Sequence, residues 1–363
     1  MKKSKREVIH QAEMSSPELT GKVVRSRAND ASPGTTTDPG TDGRKSLPRW
    51  KAVVLRLLGQ REASVFVMLV LVAGYLSIAS AYFLEPRNLL NIGRQFSVVG
   101  MVAIGQALVI ISGGIDLSVG SVIGLAAVVS ALVAKLTDNP ALGLAAGLLA
   151  GASVGLINGF LYTRININPF IATLGMLSVA RGAALLITGG LPIPFENWVA
   201  FLGSGRLATV PVSFLLMLAL ALIANVFATR TRWGRNIFAV GDNPRAARLG
   251  GINVGGVRRF VFLVSGTLAG LGGVVLAGTL NSSNPNLGQG YELDVIAAVI
   301  LGGAALSGGR GSIFGVILGA ALMGVLRNAF VLLGVSAYWQ VVTIGIVVIL
   351  AVGIDSVRRR EGV

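Results

Sequence analysis

Apolar residues fall along this chain in long runs separated by short polar breaks. The first run, Ser64 to Leu84, is about 20 residues long, enough for a helix to cross the ~30 Å hydrocarbon layer of a bilayer. Further runs occupy 95–112, 117–135, 141–162, 169–188, 211–229, 260–280, 292–306, 312–333 and 337–354. The pattern predicts an all-α polytopic membrane protein of about ten transmembrane helices. Only Gly113-Gly114-Ile115-Asp116 separates the second run from the third, which predicts a tight turn or a helix broken inside the membrane. Residues 1–63 are polar, with a Ser/Thr/Pro/Gly/Asp stretch from Asn29 to Gly43. That composition cannot bury a core and predicts a disordered basic tail. Residues 64–357 form the expected membrane domain, and 358–363 a short C-terminal tail. Ala79-Ser80-Ala81 resembles a signal-peptidase site, but the apolar run before it is too long and the leader would be atypical.

Composition agrees with a lipid environment. Of 363 residues, 53% are hydrophobic and 13% charged, whereas soluble domains carry roughly 25% charge. The 49 glycines suit helices that approach closely in lipid. The absence of Cys excludes disulfides and thiolate metal sites, and the single histidine, His10, lies in the tail, so no metal centre is expected. The net charge of +15 would fit nucleic acid, but its distribution argues for membrane topology instead. Thirteen Lys/Arg precede the first apolar run and seven lie between Arg230 and Arg259. Such clusters beside apolar runs read as topology signals and contacts with anionic lipid. Ten spans put both termini on one side, and the basic tail makes that side cytoplasmic. The loop 230–259, with seven Arg and Asp242 as its one acid, then falls inside. The expected outer loops 85–94, 136–140, 189–210, 281–291 and 334–336 hold only Arg87, Arg94 and Arg206 as basic residues.

Short matches suggest an internal repeat. Asp116-Leu117-Ser118-Val119 opens span three and Glu292-Leu293-Asp294-Val295 opens span eight. Gly155 to Phe160 echoes Gly324 to Phe330, again five spans on. An odd shift means an inverted repeat, as in many transporters. A rival match pairs Gly113-Gly114, Leu117-Ser118 and Gly120 with Gly302-Gly303, Leu306-Ser307 and Gly309, and implies a parallel repeat. The inverted correspondence is the preferred expectation.

Few ionisable residues lie in the spans, chiefly Asp116, Arg181, Glu292, Asp294 and Arg327. A charge at mid-bilayer costs roughly 3 kcal/mol, which makes each a functional candidate. Asp116 has two open readings, a cap on span three or a place on the solute path. Arg181 is expected to pair with a carboxylate or with backbone carbonyls. Asn158 and Asn168-Pro169-Phe170 bracket the loop Thr163 to Ile167, with Pro169 at a helix start and Asn168 placed to cap it. Thr173 follows one turn later. Amide, hydroxyl and aromatic groups suit a polyhydroxylated solute, and ordinary helix packing explains them equally well. The candidate path set is Asp116, Ser118, Asn158, Asn168, Phe170, Thr173 and Asp294.

In the basic loop, Asp242-Asn243-Pro244 is a helix-start signal, and Gly250-Gly251 ends a short helix over Pro244 to Leu249. Such a projection fits a partner's groove, with Ala246, Ala247 and Leu249 as contact knobs, or rests on lipid headgroups. No Gly-x-x-x-x-Gly-Lys-[Ser/Thr] loop is present, so the chain is not expected to hydrolyse ATP or to act as an enzyme.

Gly113 to Ser121 resembles the signature of ribose-, xylose- and galactose-type sugar ABC permeases. Asn158-Gly159 with Asn168 to Gly175 resembles the next block of that family, and Gly234 to Asn243 through Ile252-Asn253-Val254 resembles the loop that docks on the ATPase subunit. The similarity covers about 64–357 in order and spacing. It implies a permease domain of an importer for a small polar solute, most simply a monosaccharide, in a bacterial cytoplasmic membrane. It also implies a cytoplasmic ABC ATPase that uses the ATP, an extracytoplasmic binding protein received at 189–210 and 281–291, and a second permease copy or paralogue. Docking on the ATPase would fall to Gly241, Asp242, Asn243, Pro244, Arg245, Ala246, Ala247, Arg248, Leu249 and Gly250. No bound cofactor and no nucleic acid are implied. Asp242 departs from the glycine often found there, and the 1–63 tail is outside the family core. Branched-chain amino-acid and nucleoside permeases are distant relatives, so those solutes remain alternatives. An ion-coupled carrier is the remaining alternative.

Overall fold

The computed structural model describes residues 61–360. The expected tail up to residue 60, and residues 361–363, lie outside the described residues; Arg61 to Ala63 already belong to the first helix. The described residues are mainly helical: α1 (Arg61–Ala79), α2 (Pro86–Ile111), α3 (Val119–Thr137), α4 (Pro140–Thr163), α5 (Pro169–Thr188), the four-residue α6 (Phe201–Ser204), α7 (Val212–Arg230), α8 (Arg232–Asp242), α9 (Pro244–Leu249), α10 (Val254–Leu280), α11 (Tyr291–Leu301), α12 (Ile313–Leu332) and α13 (Ala337–Arg360). Two small antiparallel pairs are the described strands. Ile193–Pro194 pairs with Ser282–Ser283, and Arg206–Leu207 with Val210–Pro211.

Eight helices, α1 to α5 with α7, α10 and α12, are long and apolar enough to cross a membrane among the described residues. The other two expected spans take different forms. The run 292–306 makes only the 11-residue α11, because Gly302 caps the helix and the chain takes positive φ at Gly303. The run 337–354 lies in α13, whose described apolar stretch is Tyr338–Leu350. Two loop expectations need correction. Residues 85–94 are not a loop, because Pro86 starts α2 well before the apolar run. Its pre-set φ suits a first helical turn, and Asn88 is held by Asn328 of α12 at 2.7 Å. The basic loop 230–259 is mostly helical as well, because Thr231 caps α8 through the Gly234 N–H at 3.0 Å and α10 already begins at Val254.

The centre of the bundle is α2, every residue of which from Ser97 to Ile111 is buried. A helix apolar all round belongs inside such a bundle. Helices α7, α10, α11 and α12 pack directly against it, and α3 and α4 join the bundle through α10. Helix α4 carries glycine at 143, 147, 151, 155 and 159, one per turn on one face. Side chains there would strike neighbouring backbone: a Cβ at Gly151 would sit 3.0 Å from Gly270 Cα and one at Gly147 2.9 Å from the Ala126 carbonyl. In lipid the hydrophobic effect does not drive helices together, so backbone contact through small residues is a principal source of attraction.

Candidate functional site

The break between α2 and α3 holds a buried polar cluster. Gly113, at φ 85°, turns the chain after α2, as Gly303, at φ 91°, does after α11. Without a Cβ, glycine reaches this region at little steric cost. The carboxyl group of Asp116, 1% exposed, then points back into the bundle. Its Oδ1 accepts from the Ser118 N–H at 3.0 Å, the Ser118 hydroxyl at 2.6 Å and the Asn158 amide at 3.4 Å. Its Oδ2 accepts from the Ser265 hydroxyl of α10 at 3.2 Å. Asn158 also donates to Ser118 Oγ at 2.9 Å. With its amide oriented to match, Gln106 of α2 bridges the Asp116 backbone N–H and carbonyl at 3.2 Å each. Four elements therefore converge on one residue. Hydrogen bonds of this number offset the cost of burying a carboxyl group.

Of the seven expected path residues, Asp116, Ser118 and Asn158 share this cluster. Thr173 is adjacent, its hydroxyl lying 2.8 Å from the Pro169 carbonyl and 3.2 Å from that of Ile115. Asn168 and Phe170 are exposed instead, and Asn168 caps α5 as expected, accepting from the Phe170 N–H at 2.9 Å. They line a cavity of about 620 Å³ bounded by the turn Gly113 to Ile115, the segment Tyr162 to Phe170, Arg248 of α9 and Arg258 of α10. Asp294 is elsewhere, fully buried in an ion pair with Arg327, whose guanidinium carbon lies 5.8 Å from the Tyr291 ring centre. Sequence reasoning missed Gln106, Ser265 and the Tyr162–Arg258 wall. The first two were visible as polar residues inside apolar runs, and Arg258 was hidden in the count of loop charges.

Arg181 bonds to backbone carbonyls, one of the two expected forms. It donates to the carbonyls of Pro285, Leu287 (3.0 Å) and Gly120 (3.4 Å). It thereby ties α5 to the start of α3 and to the segment that leads into α11. A Cβ at Gly120 would be 2.6 Å from the Gly288 carbonyl and would collide with the Glu292 carboxylate, so the N-terminal ends of α3 and α11 abut.

The basic segment is locally as its sequence predicts. Asn243 caps α9, accepting from the Arg245 and Ala246 N–H groups at 3.0 Å each, and Gly251 ends the helix at φ 81°. Leu249 is 91% exposed and Ala246 is exposed, as contact knobs must be. Ala247 is buried against the chain's own core and offers no knob, because α9 is too short to lie free of the bundle. Gly241, in the last turn of α8, is buried too, and it meets both helix breaks. Gly309 donates its N–H to the Ile111 carbonyl at 2.8 Å. A Cβ at Gly241 would collide with that same carbonyl and lie 2.5 Å from the Gly309 nitrogen. One at Gly309 would lie 2.8 Å from Asp242 Cα.

Residues 88–352 match the family model described as branched-chain amino acid transport system / permease component. The ribose import permease protein RbsC of Escherichia coli (strain K12) is 40% identical over 303 residues, spanning 82% of this chain and 94% of that protein. The protein of the same name from Bacillus subtilis (strain 168) is 40% identical over 80% of this chain and 90% of its own length. The galactose/methyl galactoside import permease protein MglC of Escherichia coli (strain K12) is 36% identical over 82% and 95%. No solved structure matches the chain.

Proposed function

We propose, from the premise that this chain belongs to the family of branched-chain amino acid transport system permease components, that it is the membrane-spanning subunit of an ATP-driven importer for a monosaccharide. The relatives named for ribose and galactose import, 36–40% identical over nearly their whole lengths, favour a sugar over an amino acid. The chain is a multi-pass membrane protein and a transport component, not an enzyme. ATP is hydrolysed by a separate ABC ATPase, and an extracytoplasmic protein delivers the solute.

One observation carries the mechanism. Gly241 sits at the end of the basic segment and touches both broken-helix turns, through Ile111 and Gly309. In this proposal the exposed part of 241–250, chiefly Asp242, Arg245, Ala246, Arg248 and Leu249, docks on the ATPase from the cytoplasm. Both termini then lie on that side. Gly241 passes the displacement to the turns at Gly113 and Gly303. Asp116, Ser118 and Asn158 keep the first turn tied to α4 and α10 while it moves. The solute leaves past Asn168 and Phe170 along the cavity wall, between this chain and a second copy, with Thr173 buried behind them. The abutting starts of α3 and α11 support an inverted repeat, whereas the like turns at Gly113 and Gly303 support the parallel one; the inverted form is retained because two separate sequence matches share its five-span shift.

Reconstitution with the ATPase and binding protein tests the reading. Uptake of a pentose or hexose is expected to require ATP on the cytoplasmic side. Concentration of solute by this chain alone overturns it. Gly241→Leu separates the coupling route from the class: uptake is expected to fall about 10-fold or more while ATP hydrolysis persists, since interactions within one network change together.

A further inference from the structure

The cavity beside α9 has a chemistry that a neutral sugar does not call for. Two arginines, Arg248 and Arg258, line it, and no Asp or Glu does among the described residues. Arg258 makes no hydrogen bond or ion pair among the described residues, and its Nε is buried without a partner. Its guanidinium carbon instead lies over the Tyr162 ring, 4.5 Å from the ring centre, a cation–π contact that holds it at the cavity wall. Arg248 is likewise without an ion pair among the described residues. An unpaired guanidinium held against a ring, as that of Arg258 is, is suited to phosphate, which accepts two parallel N–H bonds. The rest of the wall, including Thr163, Asn166 and Asn168, supplies hydroxyl and amide groups. At about 620 Å³ the cavity is far larger than a phosphate ion and falls in the range of small-molecule sites.

We infer that this cavity binds a phosphate ester carried on a polyhydroxylated body, with Arg258 on the phosphate and the amide and hydroxyl wall on the body. The inference rests on the sugar-import reading for its biological sense. An imported neutral sugar is trapped in the cell by phosphoryl transfer from a nucleoside triphosphate to one of its hydroxyls, which releases the nucleoside diphosphate and a proton, so the product of the consuming reaction is a sugar phosphate. Its binding next to α9 and the Gly113 turn would hold the importer still while product accumulates. A phosphodiester lipid headgroup offers the same chemistry from the inner leaflet, and the test separates the two sources.

The whole importer, this chain with its ATPase, is placed in nanodiscs of the neutral, phosphate-free glycolipid digalactosyldiacylglycerol and titrated by calorimetry with ribose 5-phosphate and with ribose. Ribose 5-phosphate is expected to bind, Arg258→Gln to weaken binding at least about 10-fold, Arg258→Lys to weaken it less, and ribose to bind far more weakly. Co-elution of each variant with the ATPase shows that it has folded. A second arm repeats the titration in discs containing phosphatidylglycerol. Loss of the Arg258-dependent signal there makes the headgroup the occupant of the same phosphate-ester site; its persistence makes the soluble ester the occupant. No binding of ribose 5-phosphate in the neutral discs, as when an acidic side chain of the ATPase fills the cavity, overturns the inference, and so does binding that Arg258→Gln leaves unchanged. ATP-dependent uptake of unphosphorylated sugar by the same preparation is scored separately. Uptake without anion binding sinks the inference and leaves the importer reading standing.

Discussion

Asp116 and Asp294 are both buried carboxylates at the start of a helix, yet the fold holds them by opposite means. Asp116 is met by donors from several elements: Ser118 at its own turn, Asn158 of α4 and Ser265 of α10. Asp294 is met by the charge of Arg327, which is one-third exposed and stacks near Tyr291. A cluster of neutral donors ties distant segments together and has no one partner to remove. An ion pair joins only two helices, α11 and α12, and each partner is a liability if the other is lost. The first arrangement suits a joint that must stay intact while its neighbours move; the second suits a clamp near the end of the bundle.

Substitutions at the two carboxylates and their partners test this contrast. The largest effect is expected from Asp116→Ala, which leaves the donors of Ser118, Asn158 and Ser265 without their acceptor in a dry site. Thermal unfolding in detergent should show a loss of about 4 kcal/mol, since each buried unsatisfied group costs roughly 1–3. No single second substitution should restore it. Arg327→Met is expected to cost about 3 kcal/mol, the low end for a broken buried pair because Arg327 is partly exposed. Adding Asp294→Leu to Arg327→Met should recover most of that loss, because the uncompensated carboxylate is gone. A double variant as unstable as the single one would show that Asp294 is also held by more than its arginine, and the contrast would fail. The smallest effect is expected from Asn158→Ala, about 1 kcal/mol for one neutral hydrogen-bonding group. Failure of Asn158→Ala to shift the unfolding temperature would remove α4 from the joint.

The short-range features were legible in the sequence. Asn168-Pro169 and Asn243-Pro244 announce capped helix starts, and both caps are made. Gly113-Gly114 announces the break after α2. The expected boundaries failed where amphipathic helix extends past the apolar run, at 85–94 and 230–259, because hydropathy sees only the part that faces lipid or core. For the site, Asp116, Ser118 and Asn158 were named as candidates, but their union with Gln106 and Ser265 was not readable.

What the sequence determined by itself is the local and one-dimensional part: apolar runs long enough for lipid, caps, glycine breaks, and the basic segment between α7 and α10. These depend on a few neighbouring residues and on the solvent those residues prefer. Tertiary structure alone decided that the glycine face of α4 lies on α10, that Ser265 reaches Asp116 from 149 residues away, and that Gly241 wedges against Ile111 and Gly309. In a bundle where nearly every helix face is apolar, hydropathy does not rank one pairing above another. Close backbone fit and the pairing of a few buried polar groups make that choice, and both exist only once the helices have met.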